Sequence, residues 1–166
     1  QFVSDCALDL EQEGIDHNAS LSLGMMIELP SVLSTIDEFA DLADFFAIGT
    51  NDLIQYMLGA DRTNKLVANH YIPYHPAVNR GIDAIVRAAN RRGIEVSVCG
   101  EMAHDPDYIP FLLGVGIRTL SVDPQFLPSV QKTIMALSLE EAAGYAKKML
   151  ALSRVRDAAK LLKTRP

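Results

Sequence analysis

Cysteine is scarce in this chain, with only Cys6 and Cys99 among 166 residues and no metal-ligand spacing around either. That scarcity argues against a disulfide scaffold and points to a reducing, cytoplasmic setting. Basic charge is also short: the formal net charge of −6 leaves no cationic face for nucleic acid. No apolar run approaches the roughly 20 residues that span a bilayer, so membrane insertion is not expected, and the N-terminus lacks a signal-peptide pattern. What is present is ordinary globular usage, 49% hydrophobic and 22% charged, in a length that builds one domain with a sizeable core. The first residue is Gln1 rather than methionine, so a piece of a longer protein is expected.

The chain reads as a helix followed by four strand–helix units. Phe2, Cys6 and Leu10 share one face of a helix over about 1–13, and a polar loop follows to Ser22. Short apolar runs at 23–29, 44–48, 94–98 and 116–122 have the character of buried strands, each closed near glycine or proline. Between them the pattern predicts helices over about 31–42, 51–58, 77–92, 106–113 and 126–137, with a long polar loop at 59–76. Residues 138 to about 162 read as helical, opened by Ser138-Leu139-Glu140-Glu141, with one helix to Leu152 and a basic tail trailing over 154–166. Such alternation implies a parallel sheet with crossover helices. Two architectures fit: a doubly wound four-stranded sheet, or the C-terminal half of a (β/α)8 barrel followed by C-terminal helices. The candidate site residues favour the barrel, because they fall at strand C-termini. The expected division is 1–22 as leading helix and loop, 23–137 as the four units and 138–166 as a helical tail.

Three strand ends carry chemistry. Glu28 closes the run Gly24-Met25-Met26-Ile27, and a carboxylate there needs a cation, an arginine or hydrogen bonds. Asp52 follows the next strand, so the two carboxylates can converge on one divalent ion completed by water and substrate oxygens, as Mg²⁺ prefers. The bland alternatives are a helix cap for Asp52 and a salt bridge for Glu28. Gly49-Thr50-Asn51 offers backbone N–H groups at a helix start, where phosphate oxygens bind. Arg62, in the following loop, has the planar fork that suits a phosphoryl group, although most loop arginines are simply solvated. Cys99 is core filler, nucleophile or acid. Two nearby carboxylates would raise its pKa, and a neutral thiol suits proton donation better than attack. The four histidines read as loop or surface residues.

Taken together, Gly24-Met25-Met26-Ile27-Glu28, the run from Phe46 to Tyr56 with Gly49-Thr50-Asn51-Asp52 at its centre, Ala60-Asp61-Arg62, Tyr74-His75-Pro76-Ala77 and Cys99-Gly100-Glu101-Met102-Ala103 resemble the C-terminal domain of enzyme I. These are the phosphoenolpyruvate–protein phosphotransferases of the bacterial sugar or nitrogen phosphotransferase systems. The resemblance runs from about Leu23 to Val130, in order and at the family's spacing. It implies that Glu28 and Asp52 hold Mg²⁺, that Asn51 and the Asp52 backbone contact the phosphoryl group of phosphoenolpyruvate, that Arg62 neutralises its charge, and that Cys99 protonates the enolate carbon. It also implies that the phosphoryl group passes to a histidine on an N-terminal domain and then to a histidine phosphocarrier protein, and that the barrel domain pairs as a homodimer. That histidine domain and the first barrel half, with two substrate-binding arginines, lie outside this chain, so no turnover is expected from it alone. Ser121-Val122-Asp123-Pro124 departs from the family pattern at Asp123, which is expected to point outward. Other readings are a pyruvate phosphate dikinase-like enzyme, a magnesium-dependent keto-acid lyase, and a non-catalytic dimerisation module.

Overall fold

In the computed structural model, which describes residues 1–166, four parallel strands stand side by side in sequence order. They are β1 (Gly24–Ile27), β2 (Phe45–Gly49), β3 (Glu95–Cys99) and β4 (Thr119–Leu120). The order of a doubly wound sheet reverses at a switch point, and this sheet has no such reversal. Register is set by side-chain alternation. Ile27 pairs with Ile48, and Ile48 with Val98, and all three are fully buried on one face. The other face carries Met26, Phe45, Ala47, Ser97 and Cys99, and there Met26 and Phe45 remain exposed.

Helices cover the buried face. The principal one is α4 (Pro76–Arg92), whose Val78, Ile82, Ile85 and Ala89 are completely buried. The helix starts at Pro76, whose missing N–H costs nothing in a first turn, and His75 caps it by accepting from the Ala77 N–H at 3.1 Å. It stops at Gly93, in the left-handed region at φ 70°. Helix α3 (Thr50–Leu58) runs directly out of β2 and buries Leu53 and Ile54. No side chain caps it: Gly49 occupies the cap position, and Asp52 lies inside the first turn, so the cap reading of Asp52 is wrong.

Several expected boundaries move. The helix expected over 31–42 is a 3₁₀ segment, Pro30–Ser34, and then α2 (Ile36–Ala40). Ser34 and Thr35 hydroxyls donate back to the Ser31 and Val32 carbonyls, which competes with the α ladder. The helix expected from Pro106 begins at Ile109, as α6 (Ile109–Val115), after a separate short α5 (Glu101–His104). Asp105 precedes a proline and is extended, and its carboxylate accepts the Asp107 N–H, which holds a turn where the helix was expected. The fourth strand is only two residues long. Helix α7 (Leu127–Met135) follows a 3₁₀ turn in which the exposed Asp123 side chain accepts from the Gln125 N–H, the outward placement expected of it.

Residues 138–166 pack onto the same body. Helix α8 (Leu139–Ala151) opens with a capping box in which Ser138 and Glu141 exchange hydrogen bonds. It crosses α6 where Gly114 faces Ala142 and Ala146, a contact with no room for a β-carbon. The tail is helical to Leu162 as expected, its last helix being α9 (Val155–Leu162), with Ala158 buried and Leu161 and Leu162 against the main core. Only the leading helix α1 (Phe2–Gln12) buries nothing, and Cys6 on it is exposed.

Candidate active site at the carboxyl edge of the sheet

The strand register builds the site. Ile27 pairs with Ile48 and Gly49 with Cys99, so one row crosses three strand ends as Glu28, Gly49 and Cys99. Gly49 is where this row needs glycine. A β-carbon there would lie 3.0 Å from Glu28 Oε2 and 3.2 Å from Met26 Sδ. The missing side chain therefore leaves the Glu28 carboxylate room on the open face.

The Cys99 thiol donates to the Ile48 carbonyl at 3.5 Å and is partly buried. Burial pushes its pKa above the ordinary thiol value, and the charge of Glu28 adds to the rise, with a smaller push from Asp52. The expected direction is therefore correct, but desolvation leads and the carboxylates follow. A thiol so placed is neutral at physiological pH, the form suited to proton donation rather than to nucleophilic attack. His104 is no partner for it, because its ring stacks on Phe126 at 3.9 Å between centroids.

Glu28 and Asp52 are half-buried, and none of the ion pairs in the chain uses either of them. The salt-bridge reading of Glu28 is therefore not realised. Each of the two carboxylates could donate hard oxygen of the kind Mg²⁺ takes, with water and ligand oxygens completing its shell. No group of three or more histidine, cysteine, aspartate or glutamate side chains gathers as a full protein cage. Such an all-protein cage is not what Mg²⁺ requires.

Asn51 is oriented by its neighbours. Its Oδ1 accepts the Glu101 N–H at 3.0 Å, which fixes the carboxamide with Nδ2, a donor, free. The buried Thr50 hydroxyl donates to the Cys99 carbonyl at 2.7 Å and so ties the start of α3 to the end of β3. Between these contacts lies Gly100 at φ 92° and ψ −172°, a region that only glycine occupies readily. Arg62 comes in from the loop after α3 and donates from Nη1 to Glu101 Oε1 at 3.0 Å. Its backbone N–H reaches Gln55 Oε1 at 3.4 Å.

Two participants escaped the sequence reading. Glu101 links Asn51 and Arg62, and its visible signal is a carboxylate directly after the Cys99-Gly100 turn. Tyr71 donates from its hydroxyl to the Asn51 carbonyl at 3.4 Å. Burial raises its pKa above the ordinary phenol value and the Glu101 charge adds to that, while the neighbouring Arg62 guanidinium opposes the rise. Nothing in the sequence distinguishes this tyrosine from others in the loop.

The fold and site thus define a parallel α/β domain with an acidic, thiol-bearing centre at the carboxyl edge of its sheet and a single arginine beside it. The family of the PEP-utilising enzyme, PEP-binding domain matches residues 1–139, and the chain belongs to that family. It is 39% identical over 155 residues to the phosphoenolpyruvate-protein phosphotransferase of Priestia megaterium, covering 93% of this chain and 27% of that protein. To the same-named protein of Bacillus subtilis (strain 168) it is 41% identical over 143 residues, covering 86% and 25%. To the multiphosphoryl transfer protein 1 of Escherichia coli (strain K12) it is 38% identical over 138 residues, covering 83% and 17%. The chain therefore spans about a quarter or less of the length of these relatives.

Proposed function

We propose that this chain is the phosphoenolpyruvate-binding part of a phosphoenolpyruvate–protein phosphotransferase, and that its sheet is the C-terminal half of a (β/α)8 barrel. The observation that carries the reading is the gathering of Glu28, Asn51, Asp52 and Cys99 at the carboxyl ends of three adjacent parallel strands, with Arg62 reaching the same edge. The sequential strand order and the uncovered apolar face support the barrel half, because in a closed barrel that face would line the interior.

In this reading the phosphoryl oxygens of phosphoenolpyruvate take hydrogen bonds from Asn51 Nδ2 and from N–H groups at the start of α3. The helix dipole favours an anion there, and the Arg62 fork neutralises its charge. Glu28 and Asp52 would hold Mg²⁺, which would supply positive charge against the negative charge of the bound substrate. The bond from phosphorus to the enol oxygen breaks as the phosphoryl group passes to an imidazole nitrogen of an acceptor histidine. The electron pair remains on the departing oxygen. The Cys99 S–H then protonates the terminal carbon, and the carbonyl of pyruvate forms. The imidazole proton goes to solvent, from which the thiolate is reprotonated. The acceptor histidine and its phosphocarrier partner lie on other polypeptide segments, so this chain turns nothing over alone.

The test is pyruvate release from phosphoenolpyruvate and Mg²⁺. Background rates are expected from the 166-residue chain. Activity should return when a complementary barrel half and a phosphorylatable histidine domain are supplied, and should fall sharply when Cys99→Ala replaces the wild type. Turnover by the chain alone, or an undiminished Cys99→Ala rate, would refute the reading. The exposed Met26 and Phe45 also support self-association of the isolated chain through its open face, expected as a dimer in sedimentation at micromolar concentration. A strictly monomeric mass would count against that contact.

A further inference from the structure

Three hydrogen bonds link four residues in a chain, Tyr71–Asn51–Glu101–Arg62, at the end of the site read above as phosphoryl-binding. The Glu101 N–H donates to Asn51 Oδ1, and Glu101 Oε1 accepts from Arg62 Nη1, both at 3.0 Å. The Tyr71 hydroxyl donates to the Asn51 carbonyl at 3.4 Å. These bonds join the start of α3, the loop after it and the turn after β3. Glu101 is the double member, bound once through its main chain and once through its carboxylate.

We propose that Glu101 is a positioning residue for the phosphoryl pocket, with its carboxylate holding the Arg62 guanidinium in place and its N–H holding the Asn51 carboxamide with Nδ2 free. The proposal rests on the reading above that Asn51 and Arg62 receive the phosphoryl group.

The physical case is one of pre-organisation. Arg62 sits on a loop whose only regular structure is a short 3₁₀ turn at Ala68–His70, and a free arginine in that setting would lose rotamer freedom on binding an anion. Glu101 removes part of that cost beforehand. It engages only Nη1, so the remaining N–H groups of the fork stay available to a second acceptor. The Glu101 main chain cannot drift, because Gly100 is packed against Thr50 and Asn51 and the N–H is already committed. An opposite role is conceivable on charge alone, in which Glu101 competes with the incoming anion for Arg62. The two roles differ in sign, so one pair of variants separates them.

The experiment uses the 166-residue chain as wild type, Glu101→Ala and Glu101→Gln, observed by nuclear magnetic resonance. Without ligand, the Arg62 Nε–H is expected to be ordered in wild type, mobile in Glu101→Ala and largely restored in Glu101→Gln, which keeps an acceptor oxygen, while the Asn51 carboxamide, held by the residue-101 main-chain N–H, stays ordered in all three. On titration with phosphoenolpyruvate in Mg²⁺, Glu101→Ala should bind about two- to tenfold more weakly than wild type, the scale of one immobilised side chain, with Glu101→Gln in between. Unchanged order of the Arg62 Nε–H in Glu101→Ala, or tighter binding by it, would overturn the proposal. If the ordering follows the variants but wild type does not respond to phosphoenolpyruvate, the positioning of Arg62 stands and the phosphoryl assignment of the site falls.

Discussion

Replacing Gly100 by alanine is expected to damage both the stability and the site, and the structure gives the size of the effect. The residue sits at φ 92° and ψ −172°, and holding a non-glycine residue there costs about 1–3 kcal/mol. An alanine β-carbon would stand 2.5 Å from Thr50 Oγ1 and 2.9 Å from Asn51 Oδ1, so Thr50 must move. Its hydroxyl is fully buried and donates to the Cys99 carbonyl, and leaving that pair unmade costs about another 1–3 kcal/mol. The sum, about 2–6 kcal/mol, is a large part of the roughly 5–15 kcal/mol that holds a domain folded. Urea unfolding should show a lower midpoint with an unchanged slope. In a Cys6→Ser background, which removes the exposed thiol, alkylation of Cys99 should quicken as its strand end loosens. A loss under about 1 kcal/mol, with alkylation at the parental rate, would refute the reasoning that this turn is built for glycine alone.

Tyr145 offers the reverse case. It is 5% exposed, its hydroxyl has no hydrogen-bond partner, and burial pushes its pKa up to about 12, so it stays neutral at ordinary pH. Tyr145→Phe should therefore leave the thermal midpoint unchanged or raise it, and a clear drop would reveal a partner for that hydroxyl. The capping box of α8 predicts a pH dependence. Hydrogen bonds from the Ser138 hydroxyl and N–H hold the Glu141 carboxyl below its usual value. A depressed value contributes stability above the unfolded carboxylate pKa of about 4.3 and loses it as pH falls through the folded value. The stability gap between wild type and Glu141→Ala should thus be constant at neutral pH and close in acid, and a gap that widens in acid would contradict the sign.

The places where sequence reading missed share one cause. The helix expected over 31–42 has the right apolar spacing, but hydroxyls at Ser34 and Thr35 give the backbone competing partners. The late start of α6 follows from Asp105 forming a turn before Pro106. In each case a local pattern was present, and the deciding interaction was a hydrogen bond or contact that composition does not count.

For the site, the sequence by itself determined which residues end the strands. Glu28, Asn51, Asp52 and Cys99 each follow a short apolar run, and parallel strands must bring such ends to one edge of the sheet. It also set the direction of the Cys99 shift, since carboxylates at the neighbouring ends could only raise it. Tertiary structure alone decided the rest. The row across Glu28, Gly49 and Cys99 depends on register, and a slip of one residue would turn those side chains to the other face. Burial, not charge, leads the rise at Cys99, because the depth of a thiol is a property of packing. The hydrogen bonds that link Tyr71, Asn51, Glu101 and Arg62 join residues far apart along the chain. Only the folded backbone brings their polar atoms within hydrogen-bonding reach, and no periodicity in the sequence encodes that distance.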